Sequence, residues 1–293
     1  MNATFPPQLA GHLAESVRSA RRRYRKRLAR CQEKFSEKAV HGLRIETRRI
    51  LALLDLLEAL RFGESLARLR KTFKKRLDAF DDLRDTHVQR VLLKSMWEKF
   101  PEAKDFKKHL RNCEQRLECE MSRHIKTAKC GKLNRCLKHL EKCLRQCAAR
   151  PATGASGPQS QVLLGGAFRR VLALRRQIRR SEPKTIHRMR IAFKRFRYTA
   201  ELIQPFLPDI TKERLANMKD FQDAAGNIQD VAVLLDRIAK DIRHEEISVE
   251  CVKNLRRELL RCEQRAIDAL MERIPELMDF EPKDSRRTAV ITI

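Results

Sequence analysis

The sequence predicts an all-α fold that consists of two four-helix bundles. Apolar residues recur at spacings of three and four through most of the 293 residues, which is the period of an amphipathic helix. Only 9 glycines and 10 prolines interrupt this pattern, and the sequence has no runs of alternating β-branched residues that would indicate strands. A basic motif in the first half recurs in the second half, which indicates that two related bundles arose by duplication and face each other.

The periodicity divides the chain into eight helices, four on each side of a helix-breaking segment. In order, they are predicted at residues 8–34, 37–61, 63–98, 102–147, 162–180, 183–204, 209–241 and 245–273, with a break near Gly131 in the fourth. The third helix is typical, because Leu66, Leu69 and Phe73 form one apolar stripe and Lys71 lies on the opposite side. Each such helix can pack one face and offer the other to an anion.

The segment between the two sets of helices is rich in proline, glycine and small residues, which predicts a flexible linker at residues 150–160. We therefore expect a first bundle in residues 1–149 and a second in residues 161–280. The chain after Pro282 has no helical pattern, so a disordered tail is expected at residues 281–293.

The chain is strongly basic, with 65 lysines and arginines against 38 acidic residues and a formal net charge of +27. Such an excess opposes compaction unless a polyanion or counterions neutralise it, so we expect a polyanionic partner. Aromatic residues make up only 5% of the chain, which leaves few side chains to stack on nucleic-acid bases. The composition favours a phosphate polymer without bases, and a nucleic acid stays the alternative partner.

One histidine-led stripe of basic residues occurs twice. The sequence His41-Gly42-Leu43-Arg44-Ile45-Glu46-Thr47-Arg48-Arg49 returns as His187-Arg188-Met189-Arg190-Ile191-Ala192-Phe193-Lys194-Arg195. Because a helix turns by about 100° per residue, the first, fourth and eighth residues of each copy share one face, beside the apolar positions. A basic stripe at the border of the core can line a groove between helices.

The residue types in this stripe suit phosphate. The planar guanidinium of arginine can hold two phosphate oxygens at once, and lysine adds a mobile point charge. The two histidines have two interpretations, since each could donate to phosphate or be a buried residue that holds helices together. Both interpretations stay open on the sequence alone.

A second repeat lies further along each half. Leu83-Arg84-Asp85-Thr86-His87-Val88 matches Ile228-Gln229-Asp230-Val231-Ala232-Val233, and Lys74 and Asp78 match Lys219 and Asp223. We expect Asp85 and Asp230 to support helix packing or to orient a nearby arginine rather than to act in catalysis. Their repetition strengthens the argument for duplication.

Nine cysteines occur without any CxxC pair, so we expect reduced, buried cysteines rather than disulfides or metal ligands. The N-terminal residues lack a signal-peptide pattern, and no apolar run approaches the ~20 residues of a membrane span. These observations predict a cytoplasmic protein that has no membrane partner.

The sequence lacks the common enzyme motifs, namely a glycine-rich phosphate loop, GxSxG and HExxH. The run Glu118-Cys119-Glu120 has the spacing of a triphosphate tunnel motif, but it lies in a helical segment instead of a barrel strand. We therefore predict no catalytic residues, no cofactor and no metal site. An enzyme that transfers or hydrolyses phosphate through His41 or His187 stays the alternative.

The repeated pattern His-x-x-Arg-x-x-x-[Arg/Lys]-Arg, followed by Leu83-Arg84-Asp85 and Gln229-Asp230, resembles the CHAD family, the conserved histidine α-helical domain. The segment from Ile186 to Leu202 is similar to a signature of that family almost throughout, and the resemblance covers roughly residues 8–275. One departure is that Asp81-Asp82 and Gly226-Asn227 stand where the family has leucine and glycine. This departure leaves the local helix geometry open.

The resemblance implies two four-helix bundles related by a pseudo-twofold axis, with a basic cleft between them that binds inorganic polyphosphate without catalysis. It also implies an association with polyphosphate granules. The residues expected to line the cleft are His41, Arg44, Arg48, Arg49, His187, Arg190, Lys194, Arg195 and Arg197, with further cations at Arg18, Arg22, Arg25, Lys74 and Lys219.

Overall fold

The computed structural model of the chain describes residues 6–62, 66–94, 96–150 and 156–282. Within these ranges the chain forms α1 (Pro7–Glu33), α2 (Glu37–Ala59), α3 (Leu66–Asp78), α4 (Asp81–Leu93), α5 (Lys104–Lys126), α6 (Gly131–Ala148), α7 (Ser156–Arg175), α8 (Pro183–Ile203), α9 (Lys212–Arg243) and α10 (Val249–Arg273). Short 3-10 helices occur at Pro101–Ala103, Gln204–Phe206 and Ile274–Phe280. These described ranges contain no strand, so the predicted all-α class is confirmed.

Local sequence explains where several helices begin. The side chains of Ser36, Thr211 and Ser248 each accept a hydrogen bond from a backbone N–H in the first turn of α2, α9 and α10. Helices α1 and α8 begin at Pro7 and Pro183, where the missing N–H would have no partner within the helix anyway. The predicted starts of α1, α2 and α8 agree with these positions.

The third predicted helix, residues 63–98, was wrong as a single element. A turn at Ala79 and Phe80 separates α3 from α4, and the N–H of Phe80 donates to the carbonyl oxygen of Leu77 at 3.1 Å in a tightened last turn. Apolar periodicity does not reveal this break, because buried apolar residues continue through it, with Phe73 before the turn, Phe80 in it and Leu83 after it. The break predicted near Gly131 is confirmed, since α5 ends at Lys126 and α6 begins at Gly131.

The predicted linker at residues 150–160 is too long. Helix α7 begins at Ser156, and Pro158 falls in its first turn, where proline is tolerated. Residues 151–155 lie outside the described residues. The helix ends at Arg175, earlier than the predicted residue 180.

The chain after α10 packs onto the core as far as Phe280. The chain that follows α10 forms the 3-10 helix Ile274–Phe280, and its side chains Leu277 and Phe280 are buried in the core. Residues 283–293 of the predicted tail lie outside the described residues, so disorder there stays a prediction.

Two hydrophobic clusters form the core, and each combines side chains from both halves of the sequence. The larger cluster draws on α1, α2, α3 and α6 together with α7, α8 and the first part of α9. The smaller cluster packs Leu93, Phe106 and Leu110 against Leu234 and Leu255. The core is therefore continuous across the predicted domain boundary. The pseudo-twofold arrangement of two bundles stays a prediction.

Helix packing places the two repeated stripes together. Helix α2 packs against α8, and α4 packs against α9, so matching elements of the two halves meet. None of the described helices is both long and apolar enough to cross a membrane.

The prediction of buried cysteines is wrong for most of them. Only Cys31 and Cys113 are buried, although all nine are free thiols. Helix α6 explains the difference, because its buried face is occupied by leucines. Its cysteines, Cys136, Cys143 and Cys147, lie exposed or half-buried beside that face.

A group of phenylalanines closes the core around α8. The ring of Phe193 is 1% exposed and lies 4.9 Å from Phe221 and 5.6 Å from Phe280, measured between ring centroids. These contacts join α8, α9 and the 3-10 helix after α10. Phe193 is therefore a central packing residue.

Replacing Phe193 by alanine should lower the free energy of unfolding by about 3 to 5 kcal/mol, because it leaves a cavity among the rings. Ile191→Ala is the matched control on the same helix, since Ile191 is 40% exposed and should change stability by no more than about 0.5 kcal/mol. Urea denaturation of both variants measures the difference. Equal losses at the two positions would contradict this account of the core.

Candidate anion-binding site

The two histidine-led stripes meet where α2 packs against α8. Lys194 of α8 lies close enough to Arg44 and Arg48 of α2 for their charges to lower its pKa. Arg84 of α4 is close enough to Arg48 and Arg190 to lower the pKa of both guanidiniums. We refer to the following six residues as the cationic cluster: Arg44, Arg48, Arg84, Arg190, Lys194 and Arg197.

Lys194 is the most strongly perturbed member of the cluster. Its pKa falls from 10.5 to about 7, first because burial removes water from the ammonium group and then because Arg48, Arg190 and other arginines lie nearby. Burial also lowers the pKa of Arg48 and of Arg190, although both guanidiniums keep their charge at neutral pH. The cluster therefore holds positive charge in an unfavourable environment.

Three members of the cluster have no anionic partner. Within the described ranges, Arg48, Arg190 and Lys194 form no hydrogen bond or ion pair, and the Nε of Arg190 is buried without an acceptor. Carboxylates of Asp223 and Asp230 lie near enough to raise the pKa of Arg190, but burial outweighs them. Unpaired, partly buried cations are costly in a protein, and an entering anion would relieve the cost.

The other three members, Arg44, Arg84 and Arg197, are held in place by hydrogen bonds. Arg44 is buried, and it donates to the carbonyl oxygen of Leu77 at 3.0 Å and to Oδ1 of Asp81 at 2.8 Å. Its contacts lie at the turn between α3 and α4, where the broken helix leaves the carbonyl of Leu77 open to a second donor. Arg44 is therefore fixed before any ligand binds, and its charge contributes to the site from a buried position.

Arg84 joins the two halves of the chain. Its Nη1 donates to Oδ1 of Asp85 at 2.9 Å and to Oδ1 of Asp230 at 3.1 Å. This confirms the prediction that the two matched aspartates orient an arginine. Arg84 itself was missed as a site residue because its counterpart in the repeat is Gln229, so duplication did not mark it. Its position beside Asp85 in the repeated motif was the available signal.

Arg197 belongs to the cluster because its charge is among those that lower the pKa of Lys194. Its Nε donates to the side-chain oxygen of Gln222 at 3.0 Å, and its Nη1 donates to Glu201 at 3.2 Å. The guanidinium also covers the ring of Tyr198, with its central carbon 4.4 Å from the ring centroid. Arg197 is thus oriented by an amide, a carboxylate and an aromatic face.

The two copies of the stripe differ at one matched position. Asp81, which binds Arg44, corresponds to Gly226 in the second repeat. A Cβ atom at residue 226 would stand 3.3 Å from Nη2 of Arg190, so the glycine lets this guanidinium lie against α9. Helix α9 is continuous through Gly226, whereas the first half is broken before Asp81. Arg44 is consequently paired and Arg190 is not.

The histidines occupy different environments. His41 is exposed on the first turns of α2, whereas His187 is half-buried. Burial lowers the pKa of His187, and Arg190 lowers it further, while a hydrogen bond with Gln229 acts in the opposite direction. Its Nδ1 is buried and lacks a partner among the described residues. His187 could therefore still donate to a ligand once protonated, and His41 is not a buried packing residue.

Several of the predicted residues lie outside the cationic cluster. Arg49 pairs with Glu46 at 2.8 Å and lines a cavity of about 440 Å³ between α1, α2 and α8. That cavity is also lined by Glu15 and Glu201, so its charge is mixed. Arg195 is exposed and projects about 100° away from Lys194 around α8.

The cations of α1 are not brought to the cluster. Arg18 is exposed and forms an ion pair with Glu15 at 3.6 Å. Arg22 and Arg25 are exposed and line a second cavity, of about 450 Å³, beside Cys130. These arginines add to the positive field of the protein without joining the site.

The matched lysines repeat the same local contact. Lys74 pairs with Asp78 one turn further along α3, and Lys219 pairs with Asp223 at 2.7 Å in α9. Both pairs are exposed. Lys219 lies close enough to Arg197 for the arginine to affect its pKa, which places it at the edge of the cluster.

Comparisons with known proteins address the fold and the family. The structure aligns with the crystal structure of the CHAD domain from the plant Ricinus communis, with a TM-score of 0.69 and 18% sequence identity over 90% of this chain and 91% of that one. At this identity, the likeness supports a shared fold alone. No curated protein matches the sequence significantly. A family model of the CHAD domain matches residues 12–239, which is well over half of the sequence, and the chain therefore belongs to the CHAD family.

Proposed function

We propose that this protein binds inorganic polyphosphate through the cationic cluster and does not turn it over. The observation that carries the proposal is that Arg48, Arg190 and Lys194 come together from two repeated helices and remain unpaired within the described ranges. The proposal agrees with the association of the CHAD family with polyphosphate. A position at polyphosphate granules in the cytoplasm belongs to the same proposal.

Polyphosphate matches the chemistry of this site. Each phosphate unit carries negative charge and oxygens that a guanidinium can bind in pairs, so Arg48 and Arg190 suit successive units of one chain. Lys194 regains its proton when an anion approaches, because a negative charge raises its pKa again. Arg44 and Arg84 are already held by carboxylates, so little side-chain entropy is lost when the ligand binds.

The surroundings of the cluster disfavour bases. Tyr198 is the aromatic residue whose ring lies beside these cations, and Arg197 already covers that ring. Base stacking contributes strongly to single-stranded nucleic-acid binding, and at this point of the described structure Arg197 already occupies one face of the ring. A ligand made only of phosphates loses nothing by this arrangement.

The double variant Arg48→Gln/Lys194→Met should weaken binding of long-chain polyphosphate by about 100-fold at low salt, because two charge-assisted contacts disappear. The slope of log affinity against log salt should fall by about 1.5, since fewer counterions are released. Fluorescence anisotropy or calorimetry across a salt series measures both quantities. Arg44 is left intact because its pairs with Asp81 and Leu77 support the fold.

Arg170→Gln/Arg188→Gln is the matched control, because it removes two positive charges from exposed positions on α7 and α8. Arg188 projects about 120° away from Lys194 around the helix. Equal losses in the two double variants would contradict a localised site. Stronger binding of RNA or DNA than of polyphosphate at equal charge would favour a nucleic-acid module, and release of orthophosphate would favour an enzyme.

Gly226→Asp tests the difference between the two repeats. The new carboxylate would pair with Arg190 as Asp81 pairs with Arg44, so we expect polyphosphate affinity to fall by about tenfold. Asn227→Asp is the control, since it adds the same charge at the next, exposed position of α9. A calorimetric titration of both variants compares the two. If Asn227→Asp weakens binding as much as Gly226→Asp, pairing of Arg190 is not the cause.

Lys194→Met should make the ligand-free protein more stable below pH 7. In the unfolded chain Lys194 has a pKa of 10.5, whereas in the fold it is about 7, so folding disfavours its charged form. Between these values the unfolded chain binds more protons, and stability of the wild type rises with pH. The advantage of the methionine variant should therefore be largest near pH 6 and shrink toward about pH 10.

Thermal unfolding across this pH range measures the effect, with Lys184→Met as the control at an exposed lysine of α8. The control should show no comparable pH-dependent gain. A wild type that is more stable than Lys194→Met near pH 6 would contradict the burial of this charge.

A further inference from the structure

We propose that His87, Glu114 and Glu118 form a binding site for a divalent transition-metal ion, Zn²⁺ in the first place, between α4 and α5. The Nε2 atom of His87 lies 3.4 Å from Oε1 of Glu114 and 3.5 Å from Oε1 of Glu118. The three candidate ligand atoms all lie within 4.8 Å of one another. The site is separate from the cationic cluster and does not depend on the function proposed for that cluster.

The histidine supplies the main evidence. The side chain of His87 is only 7% exposed, and its Nε2 forms no hydrogen bond of acceptable geometry with any described residue. A buried polar atom normally has a partner, because leaving it unsatisfied is costly. Here the nitrogen faces two carboxylate oxygens, which is the arrangement that a shared cation would stabilise.

The spacing suits a tetrahedral ion. Zinc binds nitrogen and oxygen at about 2.0 to 2.1 Å, so two ligands at tetrahedral angles lie about 3.4 Å apart. The two distances from His87 match this value. Zinc is favoured over Mg²⁺ because imidazole suits transition metals, whereas Mg²⁺ prefers six oxygen ligands.

Two neighbouring features support the ligand set. Glu114 and Glu118 are one helical turn apart on α5, so they present carboxylates to the same face. Arg90 forms an ion pair with Oε2 of Glu114, which orients the carboxylate and leaves Oε1 toward His87. Glu118 is 41% exposed, so the site is open to solvent on one side and an ion can enter there.

A second cluster shows the contrast. His109, Asp241 and Glu246 have similar separations, but Arg237 donates to both oxygens of Asp241 at 2.7 Å. The same guanidinium donates to Sγ of Cys113 at 3.0 Å. Arg237 therefore occupies Oδ2 of Asp241, the oxygen that faces His109, whereas Arg90 leaves Oε1 of Glu114 open toward His87, and we expect no metal at the second cluster.

The proposed ion would join α5 to α4, the helix that also carries Arg84. The histidine is on α4 and the two carboxylates are on α5, so the ligands come from two helices that are separated in the sequence. This separation explains why no spacing motif revealed the site. Because only three protein ligands are present, a water molecule would complete the tetrahedron.

The test uses the full chain, stripped of metal with a chelator and free of polyphosphate. Zn²⁺ binding is measured by calorimetry and Co²⁺ binding by absorption, with Mg²⁺ as a comparison. We expect one tight Zn²⁺ equivalent and a rise in the melting temperature on binding. Glu118→Gln should lower Zn²⁺ affinity by about tenfold or more, while circular dichroism confirms an intact helical fold.

Two controls make the result specific. Glu120→Gln changes an exposed carboxylate on the same helix, and His109→Ala removes the histidine of the second cluster. Both should leave Zn²⁺ affinity unchanged. The proposal is overturned by no tight site in the wild type, by equal affinity in wild type and Glu118→Gln, or by an equal loss in either control. A thiolate charge-transfer band with Co²⁺ would assign the metal to cysteines instead and also overturn it.

Discussion

The packing of α2 against α8 confines more positive charge than the neighbouring carboxylates can neutralise. This constraint organises the surrounding helices. Asp81 at the start of α4 holds Arg44, while Asp85 and Asp230 hold Arg84 between α4 and α9. The carboxylates thus fix Arg44 and Arg84, while Arg48, Arg190 and Lys194 stay unpaired among the described residues. A protein that used these charges only for stability would pair them all, because breaking or omitting one partner of a buried pair is strongly unfavourable.

The cationic stripe occurs twice in the sequence, but the two copies have different roles in the structure. In the first half, a broken helix and an aspartate make Arg44 a supporting residue. In the second half, a continuous helix with Gly226 leaves Arg190 available to a ligand. The two histidines also differ in burial, since His41 is exposed and His187 lies half-buried beside the cluster. The resulting site is asymmetric although its sequence repeats are similar.

Much of this arrangement could be predicted from the sequence, because helix periodicity and the repeated stripe are local signals. They placed Arg44, Arg48, Arg190 and Lys194 on helix faces at the border of the core, where the structure brings them together. The turn at Phe80 was hidden because apolar spacing continues through it. Two further features could not be predicted, namely the place of Arg84 in the cationic cluster and the contact between His87 and Glu114. Both depend on how separate helices pack, and the spacing of residues within one helix does not encode helix packing. The arginines of α1 were predicted as site residues from their charge alone, and charge does not specify which way a side chain points in the fold.

The mixed composition of the two hydrophobic clusters has a consequence for synthesis on the ribosome. The N-terminal half emerges first, but Leu93, Phe106 and Leu110 pack against residues of α9 and α10. These side chains therefore lack their native packing partners until α9 and α10 have been translated. During synthesis the N-terminal helices α4 and α5 therefore expose an apolar face that only the C-terminal helices cover.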